Sequence, residues 1–136
     1  MNNDINSRVY NFLKDCNYYF LSTIDSASNK PRVRPFGTIN IFEDKLYIQT
    51  GKGKDVAKQI EENNKFEICA FDGKSQWIRI SGELISDERI TAIQSMLKAY
   101  PELSNMYNAN NTIVYYFNNA IVRFFAYGKA EETYKL

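Results

Sequence analysis

Lys65-Phe66-Glu67-Ile68-Cys69-Ala70-Phe71 runs into Asp72-Gly73, and Ser75-Gln76-Trp77-Ile78-Arg79-Ile80-Ser81-Gly82 follows, continuing to Ser86. In the first run Phe66, Ile68 and Ala70 alternate with Lys65, Glu67 and Cys69, the period of a half-buried strand. Asp-Gly is a tight hairpin turn, because both residues tolerate positive φ. In the second run Trp77, Arg79 and Ser81 share one face and Ile78, Ile80 and Gly82 the other. Two strands joined by so short a turn are antiparallel.

Outward from this hairpin the chain keeps the same idiom. Tyr18 to Ile24 is dense in strand formers, and Asp25 to Pro31 is a turn by composition. A strand is expected over about 32–42, interrupted by Pro35 and Gly37, and another over 45–50. Glu43-Asp44 would join them as a hairpin. Thr112 to Phe117 and Ala120 to Tyr127 read as two strands around Asn118-Asn119, with the tail from Lys129 extending the last. Helices are expected over 4–15 (Ile5, Val9, Phe12, Leu13), over 54–63 (Val56, Ala57, Ile60) and after Asp87 as cap (Ile90, Ile93, Met96, Leu97, Tyr100), where Pro101 ends it. There is no regular strand–helix alternation, so a doubly wound parallel sheet is not expected. The pattern predicts a mainly β, six- to seven-stranded antiparallel barrel with α-helices outside it.

The 136 residues fit one domain, 1–136. Seventeen basic against 16 acidic residues give a net charge of +1, which does not suit a general nucleic-acid binder. There is no His, which removes a Ser-His-Asp triad and His-ligated metal or haem. Cys16 and Cys69 have no zinc spacing, and no metal site is expected. The start, Met1-Asn2-Asn3-Asp4, lacks the basic and apolar regions of a signal peptide, and no apolar run has the length of a membrane span. A cytoplasmic location is the expectation.

Three segments can carry chemistry. In Thr50-Gly51-Lys52-Gly53-Lys54, two glycines let backbone approach a ligand, and the following helix start offers free N–H groups to a phosphate. Thr50 adds a hydroxyl, and Lys52, Lys54 and Lys58 add charge. The spacing is not that of a Walker A loop, and a solvated strand-to-helix turn carrying lysines has the same pattern. In Arg32-Val33-Arg34-Pro35-Phe36-Gly37, Arg32 and Arg34 point to one face and would make a cationic strand beside that loop. They would equally be ordinary outward charges. Trp77 and Arg79 share a face that can line a flat, anionic ligand, or they are a core Trp and a surface Arg.

Together, Lys30 to Gly37, Leu46 to Val56 and Trp77 to Gly82 resemble the pyridoxamine 5′-phosphate oxidase-like family of FMN-binding split β-barrels, over about Tyr18 to Tyr127. The resemblance implies a homodimer with FMN in grooves at the interface. It implies that Arg34 and the backbone through Pro35, Phe36 and Gly37 lie against the flavin and ribityl chain. Thr50, Lys52 and Lys54, with Lys58, would fall at the phosphate. Trp77 would touch the flavin or its edge, and Arg79 the flavin or the dimer interface. Exposed aromatics such as Tyr115, Tyr116, Phe124 and Phe125 would suit that interface. The implied function is an FMN-dependent oxidoreductase passing electrons from NADH or NADPH to a small acceptor. The alternative is a non-catalytic flavin-binding or stress-response module. No catalytic side chain stands out. The chain departs from the true oxidase in lacking its serine-arginine-lysine run at the helix start and its C-terminal arginine and histidine, so pyridoxamine phosphate oxidation is not expected.

Overall fold

Strict alternation makes one face of each strand apolar, and those faces must meet. The computed structural model describes residues 2–136, so Met1 of the polar start lies outside it. In chain order the elements are α1 (Asn2–Cys16), β1 (Tyr19–Asp25), β2 (Lys30–Phe36), β3 (Asn40–Phe42), β4 (Lys45–Gly51), α2 (Asp55–Glu62), β5 (Lys65–Phe71), β6 (Gln76–Ser86), α3 (Ile90–Ala99), a 3-10 turn (Pro101–Leu103), β7 (Thr112–Ala126) and β8 (Glu132–Lys135). The strands form one sheet in the order β2-β1-β5-β6-β7-β4-β3, with β8 paired to β7. Every pairing is antiparallel. The inward faces of β1, β4, β5, β6 and β7 meet in one core with Val9 and Leu13 of α1 and Val56 and Ile60 of α2. Phe66, Ile68, Ala70, Ile78 and Ile80 are all buried there, as the alternation requires.

Eight strands replace the six or seven expected, for three reasons. First, the stretch 32–42 is two strands. Lys30–Phe36 pairs with β1, while Asn40–Phe42 forms the hairpin with β4 across Glu43 and Asp44, both at positive φ. Between them Thr38 and Ile39 leave the ladder, and buried tyrosines hold their backbone: the Tyr19 hydroxyl donates to the Thr38 carbonyl at 2.6 Å. Second, Asn118-Asn119 is not a turn between strands. β7 is continuous, and its register against β6 shifts between Ser81 and Glu83 with Asn119 at φ 49°. This irregularity lets Thr112–Tyr116 pair with β4 and Ile121–Phe124 with β8. Third, the tail does not prolong β7 but turns at Gly128, φ 76°, and folds back as β8.

Two further expectations are corrected. Asp87 does not cap α3. Its carboxylate takes the Tyr47 hydroxyl at 2.8 Å and the Arg89 guanidinium at 2.8 Å, and Arg89 precedes the helix without a side-chain cap. Tyr115 and Phe124 are not exposed. They are core residues at 4% and 6% exposure, and Tyr116 and Phe125 are half-buried.

Candidate functional site

β4 delivers Thr50 and Gly51, both buried, to the start of α2. The crossing loop is tied down by Lys52 N–H donating to the Asn111 carbonyl at 2.9 Å and Lys54 N–H donating to the Gly51 carbonyl at 3.2 Å. Gly51 packs closely under the Tyr107 ring, where a Cβ would stand 3.3 Å from a ring carbon. Lys54 precedes α2 in extended conformation with no side-chain cap. Among the described residues the N–H groups of Asp55 and Val56 find no acceptor. The positive end of the helix dipole thus faces outward beside the Lys54 ammonium.

This loop forms one end of a cleft of about 770 Å³. Of the residues singled out in the sequence, Arg34, Pro35, Phe36, Gly37, Thr50 and Lys54 line it together. Arg32 does not; it is exposed and pairs with Asp25 at 3.7 Å. Lys52 and Lys58 are exposed on the loop and on α2 without lining the cleft. Trp77 and Arg79 lie on the opposite, outward face of the sheet. There Trp77 stacks on Phe125 at 4.9 Å, and Arg79 pairs with Glu67 at 3.5 Å and lies 5.4 Å from the Phe125 ring.

Arg34 is half-buried, and its guanidinium donates to the Thr23 hydroxyl at 2.7 Å and to Gln59 Oε1 at 2.8 Å. Burial pulls its pKa below the usual arginine value, and Asp55 acts in the other direction. It stays protonated, being displaced from so high a starting value.

Several cleft residues were not found from the sequence: Lys14, Tyr18, Thr38, Gln49, Tyr100 and Tyr107. Gln49 is the most informative. It is 5% exposed, its N–H donates to Thr38 Oγ1 at 3.2 Å and its amide nitrogen to Thr112 Oγ1 at 3.3 Å. Its Oε1 is buried without a partner, alone in this among the described residues. Such an atom is destabilising unless something completes it. A sequence signal existed: a polar residue follows Leu46, Tyr47 and Ile48 immediately before the Thr50-Gly51 loop.

The outward face of β1, β5, β6 and β7 carries Phe20 at 53% exposure, Phe71 at 50% and, just beyond β7, Tyr127 at 65%, around the Trp77–Phe125 stack. Pro35, which lines the cleft, pairs with Phe20, so this apolar face borders the cleft. No helix among the described residues is long and apolar enough to cross a membrane.

A family model described as pyridoxamine 5′-phosphate oxidase matches residues 5–100. Among solved structures, a NimC/NimA family protein from Clostridium acetobutylicum is 36% identical, with 96% of this chain and 91% of that chain covered and a TM-score of 0.90. A pyridoxamine 5′-phosphate oxidase-related, FMN-binding protein from Nostoc punctiforme is 15% identical over 89% of this chain and 88% of that chain, with a TM-score of 0.58. A heme-binding protein from Mycobacterium smegmatis is 12% identical over 90% of this chain and 57% of that chain, with a TM-score of 0.69. The last two likenesses concern the fold alone. A comparison with curated protein sequences gives no match.

Proposed function

The chain belongs to the pyridoxamine 5′-phosphate oxidase family, and from that premise we propose that it is a flavoprotein holding FMN in the Arg34–Lys54 cleft and passing electrons from NADH or NADPH to a small acceptor. The observation that carries this reading is the cleft's chemistry. One end offers Lys54, the Thr50 hydroxyl and free helix N–H groups, which suit a phosphate. Gln49, held by its amide N–H to Thr112 Oγ1, is a further polar residue of the cleft lining. When bound, FMN supplies the hydride and electron chemistry. The chain's residues do the rest. Lys54 and the α2 N-terminus fix the anion. Arg34 adds a half-buried positive charge to the cleft lining. Phe36 and Tyr107 contribute aromatic walls.

No histidine is available for acid or base chemistry, and the carboxylate lining the cleft, Glu102, is exposed. Oxidation of pyridoxamine phosphate is not part of the proposal, since Lys54-Asp55-Val56 stands where the oxidases carry a serine-arginine-lysine run. The same reading includes a homodimer in which a second copy covers Phe20, Phe71, Trp77 and Tyr127 next to the cleft. Burying such a face is favourable.

The test is the absorbance spectrum of the purified protein, followed by NADH and then NADPH under anaerobic conditions. A flavin spectrum that bleaches with one donor supports the electron-transfer role. A flavin spectrum that neither donor bleaches would instead favour a non-catalytic flavin-binding module.

A further inference from the structure

Arg34 stands apart from the other arginines. Arg8 pairs with Glu132, Arg32 with Asp25, Arg79 with Glu67, Arg89 with Asp87 and Arg123 with Glu131. Arg34 alone has no carboxylate partner among the described residues, although it is the half-buried one. Asp55 acts on it only through space. Its acceptors are neutral: Thr23 Oγ1 at 2.7 Å, Gln59 Oε1 at 2.8 Å, and the Leu21 and Arg32 carbonyls at 3.3 and 3.4 Å.

Thr23 and Gln59 form a unit. The Thr23 hydroxyl donates to Gln59 Oε1 at 2.6 Å, so two oxygens that close together face the end-on pair of guanidinium nitrogens, Nη1 and Nη2. Thr23 is 1% exposed in β1, Arg34 lies in β2 and Gln59 on α2, so three elements fix the group. The Nε–H and the second Nη2–H have no acceptor among the described residues. That side-on pair is the edge that takes a bidentate oxyanion.

We propose that Thr23 and Gln59 are positioning residues that hold Arg34 by neutral contacts, leaving its charge and its side-on edge for a phosphate monoester, the FMN phosphate. The inference rests on the flavin reading and deepens it. A carboxylate at position 59 would orient Arg34 equally well but cancel its charge, which explains why an amide is useful there. Neither residue touches the cofactor in this account; both act through Arg34.

The experiment compares FMN with riboflavin, which lacks the phosphate, by quenching of flavin fluorescence. Gln59→Glu is expected to weaken FMN by about tenfold or more while leaving riboflavin within about twofold. Gln59→Leu, which removes the acceptor without adding charge, is expected to fall between wild type and Gln59→Glu for FMN. Thermal melts confirm folding, and the FMN-to-riboflavin ratio separates positioning from a structural role. Unchanged FMN affinity in Gln59→Glu, or equal loss of both flavins, overturns the proposal alone. A wild-type chain that binds neither flavin overturns the proposal together with the flavin reading.

Discussion

The Tyr100 hydroxyl completes both backbone polar groups of Ile39, accepting from its N–H at 2.8 Å and donating to its carbonyl at 2.9 Å. Ile39 lies where the chain has left β2 and not yet entered β3, so no ladder serves it. One side chain 61 residues away stands in for the sheet. Tyr100→Phe keeps the ring but strands two buried groups, and is expected to lower stability by about 2 kcal/mol. Urea unfolding checks this. A variant as stable as wild type would show that the hydroxyl is dispensable.

At Gly82 the backbone of β6 leaves no room for a side chain against β7. A Cβ there would fall 2.8 Å from Ala120 Cα and 2.9 Å from the Asn118 carbonyl oxygen, both backbone. Backbone cannot swing aside as a side chain can, so Gly82→Ala is expected to destabilise by about 1–3 kcal/mol. A thermal melt at wild-type temperature would contradict that close approach.

Asp87 supplies a pH signature. Arg89 and Tyr47 hold its carboxyl well below the usual carboxylate range, and Glu43 faces the same guanidinium at 2.8 Å. A folded pKa below the unfolded value, about 3.9, contributes stability that is present above that value and lost as pH falls. The stability gap between wild type and Asp87→Asn should therefore be largest near neutral pH and shrink below about pH 4. Denaturant midpoints measured across that range test it; a gap that grew on acidification would be the wrong sign.

The outward face predicts an assembly. Phe20→Arg or Phe71→Asp should convert a dimer to a monomer in sedimentation experiments, because each places a charge within the exposed apolar surface. A wild-type chain that sediments as a monomer at all concentrations would contradict this.

The sequence disclosed what is local. β5 matches its expected bounds, since alternation from Lys65 to Phe71 depends only on neighbours in the chain. The loop from Thr50 and the start of α2 were visible for the same reason. What failed depends on distant partners. Asn118-Asn119 has a turn's composition, yet β6 pairs along both sides of it and keeps one bent strand. Tyr115 and Phe124 look like surface aromatics until α1 and the rest of the sheet cover them. At the site, Arg34 and Lys54 sit in local motifs. Gln49, Tyr100 and Tyr107 reach the cleft only because β4, α3 and the following turn converge there. Trp77 and Arg79 share the face expected of them, but β6 turns that face away from the cleft.

FMN binding in the cleft lined by Arg34 and Lys54 is the proposal on which the others rest. Titrating the cofactor-free chain with FMN, while following the loss of flavin fluorescence, tests it most directly. Saturation is expected at about one FMN per chain, with affinity reduced about tenfold or more by Lys54→Ala and further by adding Arg34→Ala. No quenching at any FMN concentration, or an affinity that neither substitution changes, would contradict it.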